Sequence, residues 1–249
     1  MLMEQTLRTL KALRLPGMAA AFEEQQHQAA MAELSFDERV GLLVEREHTW
    51  RENRRLTRLL REAKLKSSQA CVEDIRYGNG RKLDKSLMAQ LSTCQWIHQH
   101  QNLVLTGATG CGKTWLACAF AAQACRLRLA ATFCRASQLF ADIGVAVLDG
   151  SLPRLKLALT KPTLLVIDDL GVGEMSLQAA HVLLEVVDRR MRNGSLLITS
   201  QYPTDQWHGF FPDPTIADAV LDRVIHQSHR ITLKGESMRR LRAKRQMQE

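Results

Sequence analysis

The chain has few aromatic residues, no long apolar run and no closely paired cysteines. No apolar stretch approaches the roughly 18 residues that a membrane span needs. The opening Met1-Leu2-Met3-Glu4-Gln5 lacks the basic segment and continuous apolar region of a secretion signal. The expectation is a soluble cytoplasmic protein with no membrane partner. Six cysteines (Cys71, Cys94, Cys111, Cys118, Cys125, Cys134) include no C-x-x-C pair. A chain of this size does not depend on disulfides for its core, so reduced, buried, inert thiols are expected. Cys118 and Cys125, seven apart on an expected helix, have no second pair to complete a zinc site.

What is present is ordinary for a folded protein, apart from its charge. Hydrophobic residues make up 45% and charged residues 24% of 249 positions. That length is about one and a half usual domains, so one full domain with a smaller appendage is expected. Lys and Arg number 34 against 26 Asp and Glu, a net charge of +8, which favours polyanionic partners such as nucleic acid.

Residues 1–66 contain one Pro and two Gly, and apolar residues recur at helical spacing: Leu7, Leu10, Leu13, then Val40, Leu43, Val44, then Leu56, Leu59, Leu60, Ala63. About three helices are expected here. Pro16-Gly17 breaks the first, and Ser35 with Glu38 three residues on forms a capping-box pattern. Residues 67–101, with the turn cluster Tyr77-Gly78-Asn79-Gly80 and a short helix through Leu87, Leu91 and Trp96-Ile97, form a connector.

From residue 102 to 249, apolar runs of strand length alternate with stretches of helix length, the pattern of βαβ units around a parallel sheet. Strands are expected at 103–106, 131–134, 163–168, 196–200 and 230–233. Helices are expected near 113–126, 136–148, 176–192 and 215–227. Ligands on such sheets sit at the carboxyl ends of the strands.

One such end carries Gly107-Ala108-Thr109-Gly110-Cys111-Gly112-Lys113-Thr114. This matches G-x-x-x-x-G-K-[ST], between an apolar strand and an amphipathic helix as the motif requires. Glycines let the backbone wrap a phosphate, the N–H groups and helix N-terminus turn positive dipole toward it, and Lys113 adds a point charge. Thr114 would hold Mg2+ through its hydroxyl, which makes ATP with Mg2+ the expected ligand pair.

About fifty residues later Leu164-Leu165-Val166-Ile167 runs into Asp168-Asp169. Alternation along the strand would aim the two carboxylates differently, so Asp168 is assigned to the metal and Asp169 to the attacking water. A third strand ends in Thr199-Ser200-Gln201, and Gln201 is the candidate sensor of the γ-phosphate, against ordinary turn chemistry before Pro203. Arg223 follows Asp222 on an otherwise core-packed helix; it can stabilise phosphoryl charge, or merely pair with Asp222 or Asp218.

Together these motifs resemble the AAA+ ATPases, and more narrowly the IstB-like ATP-binding proteins of bacterial insertion sequences; DnaC-type helicase loaders come next. Leu-Arg-Leu-Pro-Gly-Met at 13–18, Gln90 to Ile97, Ile198 to Gln201, Trp207-His208, Asp213 to Ala219, Leu221-Asp222-Arg223 and Leu233 to Arg239 carry the likeness. The resemblance implies an AAA+ P-loop fold preceded by a small helical domain. It also implies a homo-oligomeric helper that binds duplex DNA with ATP and directs a cognate transposase to its target. Arg223 then resembles a trans-acting arginine finger and Arg239 a second sensor arginine. Asp169 stands where many AAA+ relatives carry Glu, and Gln201 where many carry Asn, which implies slow, switch-like turnover.

Arg46 to Lys66 hold eight Lys or Arg and three Glu. On a helical wheel Arg51, Arg54, Arg55, Arg58 and Arg61 lie opposite the leucine face, open either to a phosphate backbone or simply to water. The last residues, from Arg223 to Glu249, hold eight basic and two acidic groups. Aromatics are few and none interleave with these patches in the manner of single-strand stacking platforms, so duplex is favoured over single-stranded DNA. A replicative helicase loader and a small-molecule P-loop kinase are the competing readings. The kinase fares worst, because no arginine-rich lid segment lies between the strands.

Overall fold

The structure is a computed structural model that describes residues 2–28, 31, 33–78, 81, 83–235 and 237–238. The chain forms two compact units, Met1–Arg58 and Leu59–Glu249.

In the first unit lie α1 (Leu2–Ala12), α2 (Pro16–His27) and most of α3 (Phe36–Ala63). The chain turns at Arg14, whose φ is +58°, and α2 starts on Pro16, where a missing N–H costs nothing. The capping box forms as expected: Ser35 N donates to Glu38 Oε2 at 2.8 Å, and Glu38 N donates to Ser35 Oγ at 3.3 Å. Gly17 brings α2 against the α3 backbone, since a Cβ there would stand 2.8 Å from Glu47 Cα. Glu47 is buried and accepts from Met18 N at 3.1 Å and Arg51 Nε at 2.7 Å. Burial pushes its carboxyl up, but the Arg51 guanidinium and the Met18 and Gly17 N–H groups outweigh this and hold it below its ordinary range.

The second unit is built on five parallel strands: β1 (Asn102–Gly107), β2 (Ala131–Arg135), β3 (Leu164–Leu170), β4 (Ser195–Ser200) and β5 (Ser228–Leu233). Their order is β2-β3-β4-β1-β5. Parallel strands covered on both faces read as continuous apolar runs, as Leu103-Val104-Leu105 and Leu164 to Ile167 do. Helices α7 (Ala136–Leu148), α9 (Leu177–Arg190) and α10 (Pro214–Ile225) bury one face in a shared core with Val104, Leu165, Ile167, Leu196 and Ile198. Helix α6 (Lys113–Arg126), apolar nearly all round, packs against β1, β2, β3 and β4. Helix α8 (Leu152–Thr160), between α7 and β3, was not expected: Leu152, Leu155 and Leu159 pack on the core from one face, but the helix is only nine residues long and carries Pro153 in its first turn. The 85–98 region holds two helices, α4 (Lys85–Ser92) and α5 (Gln95–His98), split by Cys94 at φ +57°.

Two polar side chains pin the amino-terminal edge of the sheet. Asn102 accepts from Leu196 N at 2.9 Å and donates to Val224 O at 3.1 Å. Arg190, 1% exposed, donates to the carbonyls of Leu159, Pro162, Thr163 and Ser195 at 2.7–3.0 Å. Burial pushes its guanidinium down to about 10. All six cysteines are free thiols, and burial raises Cys94 and Cys134 to about 12 and Cys125 to about 11. Among the described residues no helix is long and apolar enough to cross a membrane.

Candidate nucleotide site

Every strand of a parallel sheet points the same way, so the carboxyl ends of β1, β3 and β4 converge on one edge. β1 delivers the loop 107–114 to that edge. Gly107, Gly110 and Gly112 adopt φ of +141°, +85° and +99°, conformations that side-chain-bearing residues resist. Space forbids a side chain as well: a Cβ at Gly107 would meet Leu233 O at 2.3 Å. Lys113, only 5% exposed, donates to Gly107 O at 2.6 Å and Ala108 O at 3.1 Å, so its ammonium is held in the curl of the loop. Beyond β5, Met238 N donates to Gly110 O of the loop at 2.9 Å.

β3 delivers the two acids. Asp168 is 0% exposed, and Thr114 Oγ1 donates to its Oδ1 and Oδ2 at 2.9 and 3.1 Å. Burial pushes its carboxyl up, and Asp169 adds to that; hydrogen bonds from Thr199 and Thr114 and the charge of Lys66 offset part of it. Simple alternation does not aim the acids apart. Asp169 sits at φ +59°, within a register shift between Ile167 and Leu170, and this bulge swings its carboxylate out of the strand pattern. Its Oδ2 stands 3.9 Å from Arg135 Nη2, at the end of β2.

β4 supplies the link that the sequence reading passed over. Thr199 Oγ1 donates to Asp168 Oδ1 at 2.7 Å and accepts from Asp169 N at 3.0 Å, so one buried hydroxyl ties both acids to β4. Gln201, the expected sensor, accepts through Oε1 from Thr109 Oγ1 at 2.9 Å and so touches the phosphate loop itself. Only its position at a strand end signalled Thr199. Arg81 is a second residue missed: it lies in the turn-rich connector, yet it is 4% exposed and donates to Cys111 O in the loop at 3.0 Å.

Thr114 and Asp168 fit a magnesium ion by their chemistry. A hydroxyl and a carboxylate, already within hydrogen-bond reach of each other, are hard oxygen donors, and magnesium completes its shell with phosphate and water.

Not every expected residue gathers at this edge. Arg223 projects from α10 and pairs with Asp188 on α9, not with Asp222 or Asp218. Those two carboxylates face His226 and His208 instead. The Arg223 carbonyl accepts from Asn102 Nδ2 at 3.4 Å, at the start of β1, so its backbone lies about one strand length, roughly 17 Å, from the edge that carries the loop. Arg239 and the basic run that follows it lie outside the described residues. On α3, Arg51, Arg54, Arg55, Arg58 and Arg61 are exposed while Leu59 and Ala63 are buried, as the helical wheel predicts. Arg51 is bound to Glu47, and the Arg54 guanidinium lies 5.1 Å from the centre of the Trp50 ring.

A five-stranded parallel sheet in this order, with a glycine loop after β1 and two acids at the carboxyl end of β3, defines an AAA+ P-loop protein. Solved structures share the fold. DnaI matches with a TM-score of 0.58 at 18% identity over 72% of this chain and 94% of its own. The DnaC helicase loader matches at 0.55 and 18% identity over 66% and 97%. Among sequences, the insertion-sequence ATP-binding protein y4pL of Sinorhizobium fredii is 44% identical over 96% of this chain and 98% of its own length. The ATP-binding protein of insertion sequence IS1162 from Pseudomonas fluorescens is 47% identical over 82% and 88%. The model of the IstB-like ATP binding protein family matches residues 8–247, and the chain belongs to that family.

Proposed function

We propose that this protein is an ATP-dependent helper of transposition, which assembles on duplex DNA, hydrolyses ATP and directs a partner transposase to its target. The observation that carries the ATPase part is the connected chain Thr114–Asp168–Thr199–Asp169 beside the glycine loop. In it Lys113, the loop N–H groups and the N-terminus of α6 receive the phosphates. Thr114 and Asp168 would hold magnesium, which supplies charge neutralisation on the phosphate oxygens. Asp169 orients the attacking water and takes its proton as the bond between the γ-phosphorus and the bridging oxygen breaks, giving ADP and phosphate. Gln201 couples the end of β4 to the loop through Thr109.

Arg223 stands at the far edge of its own sheet, which suits a finger reaching the site of a neighbouring copy in a homo-oligomer. Arg239, next to the Met238 that caps the loop, is the proposed second sensor. Residues 1–66 serve as the DNA- or partner-binding domain, 67–101 as connector and 102–249 as the ATPase domain, in the cytoplasm of a bacterium. The exposed arginines of α3 give salt-dependent, sequence-independent contact with duplex DNA. A helicase loader remains the rival reading through the fold of DnaC and DnaI. The full-length likeness to insertion-sequence proteins favours the first.

Mobility shifts on duplex DNA at two salt concentrations, with ATP, ADP or no nucleotide, test this for wild type and Lys113→Ala. ATP alone should drive large, salt-sensitive complexes that Lys113→Ala abolishes. Binding indifferent to nucleotide would overturn the ATP-gated reading and move the loader ahead.

A further inference from the structure

Arg81 is an arginine without a carboxylate partner among the described residues, yet it is 4% exposed. Burying a guanidinium is costly unless its donors are matched. Here Nη1 donates to Arg76 O at 3.1 Å, Nη2 donates to Cys111 O at 3.0 Å, and the buried Nε has no partner among the described residues. Burial pushes its pKa down. The fold holds this charge where one of its donors grips the phosphate loop.

The gripped carbonyl belongs to the Cys111–Gly112 peptide. No peptide in the described chain is cis, and across a trans peptide the C=O and the next N–H point in opposite directions. A donor that pulls the Cys111 carbonyl outward therefore turns the Gly112 N–H the other way, away from Arg81. Glycine at 110 and 112, at φ +85° and +99°, leaves this stretch of backbone little preference of its own, so an external hydrogen bond can decide the orientation. A flipped peptide would present a carbonyl oxygen to an anion where an N–H is needed. The approach is close: a Cβ on Gly112 would lie 2.7 Å from Arg81 Nη2.

We propose that Arg81 is a positioning residue of the phosphate loop, locking the Cys111–Gly112 peptide so that the Gly112 N–H is presented to the nucleotide's phosphates. This rests on the nucleotide reading of the loop. It assigns to the connector a direct part in phosphate recognition, alongside the Met238 N–H that holds the neighbouring Gly110 carbonyl.

The test uses the full chain and three probes in magnesium buffer: ATP, ADP and inorganic tripolyphosphate, which has phosphates but no base. Arg81→Met and Arg81→Gln should weaken all three by a similar factor, about tenfold to a hundredfold, as expected for losing a charge-assisted hydrogen bond at a binding site. Arg81→Lys, which keeps a donor, should recover part of the loss. A merely structural arginine would lower the melting temperature while the folded protein bound tripolyphosphate as wild type does; that result overturns the proposal. If Arg81→Met does not fold, Arg81→Gln decides by the same ratio. Wild type that binds none of the probes overturns the nucleotide reading and this proposal with it, whereas wild-type binding matched by folded Arg81→Gln overturns the proposal alone.

Discussion

Thr199 donates its hydroxyl proton to Asp168 at 2.7 Å and accepts the Asp169 N–H at 3.0 Å, so a β4 side chain sets the conformation of both acids at the end of β3. Strand alternation alone could not give Asp169 its geometry, because its φ is +59°. Thr199→Val keeps the shape but removes both bonds, and leaves a buried N–H and carboxylate short of partners. Unfolding by urea should show a loss of about 1–3 kcal/mol. Steady-state turnover should fall at least about tenfold through the misplaced acids, with ATP affinity little changed and Thr199→Ser restoring most of it. Turnover equal to wild type in Thr199→Val would remove the hydroxyl from the mechanism.

Asp168 is fully buried and its carboxyl is pushed up, first by burial. A carboxyl raised in the folded state binds its proton more tightly there than in the unfolded chain. Its contribution to stability is therefore fully present below the unfolded value and is lost as pH rises through the folded one. At neutral pH the ionised group opposes folding, and Asp168→Asn relieves that while Thr114 and Thr199 can still donate to the amide oxygen. Asp168→Asn should melt higher than wild type near pH 7.5, with the difference shrinking toward about pH 4, and should lose magnesium-dependent hydrolysis. Melting curves across pH check it; a variant that melts lower at neutral pH contradicts the sign.

Arg190 satisfies four carbonyls of the 159–163 and β4 segments from inside the core. Arg190→Met should take this donor from all four acceptors, of which Thr163 O still accepts from Ser195 N, and cost about 3–5 kcal/mol, enough to bring a domain of ordinary stability near its threshold. Chemical denaturation measures this directly, and a loss under about 1 kcal/mol would mean that the carbonyls find other donors.

Arg223 and Asp188 form a half-exposed ion pair. Breaking such a pair shifts stability by under about 1 kcal/mol, so Arg223→Ala should fold and bind ATP normally. If the residue works on a neighbouring copy, its loss should cut turnover at least about tenfold, and mixing Arg223→Ala with Lys113→Ala should recover part of it. Each variant then supplies what the other lacks, so a mixture no more active than its components rules out action in trans.

Much of the site was legible because its chemistry is local. Gly107 to Thr114 lie in one unbroken stretch, and the acids end an apolar run, so strand, loop and helix could be placed by pattern; α6 and α7 begin and end where that pattern puts them. Helix α8 was missed because it is short and Pro153 near its start reads as a breaker, although Leu152, Leu155 and Leu159 share its core face. Arg81 was missed because an arginine in a turn cluster reads as solvated until the fold brings it within 3.0 Å of Cys111 O.

Sequence by itself therefore determined the class of fold, the phosphate loop and the pair of acids, since periodicity and contiguous motifs depend on neighbours within a few residues. Tertiary structure alone decided which strand-end hydroxyl serves the acids, that a bulge rather than alternation aims Asp169, and that Arg223 stands away from its own loop. Those choices depend on pairing β3 with β4, residues some thirty apart, and β1 with the end of α10, more than a hundred apart. No local pattern encodes such distances; they are settled only when the strands take their order in the sheet.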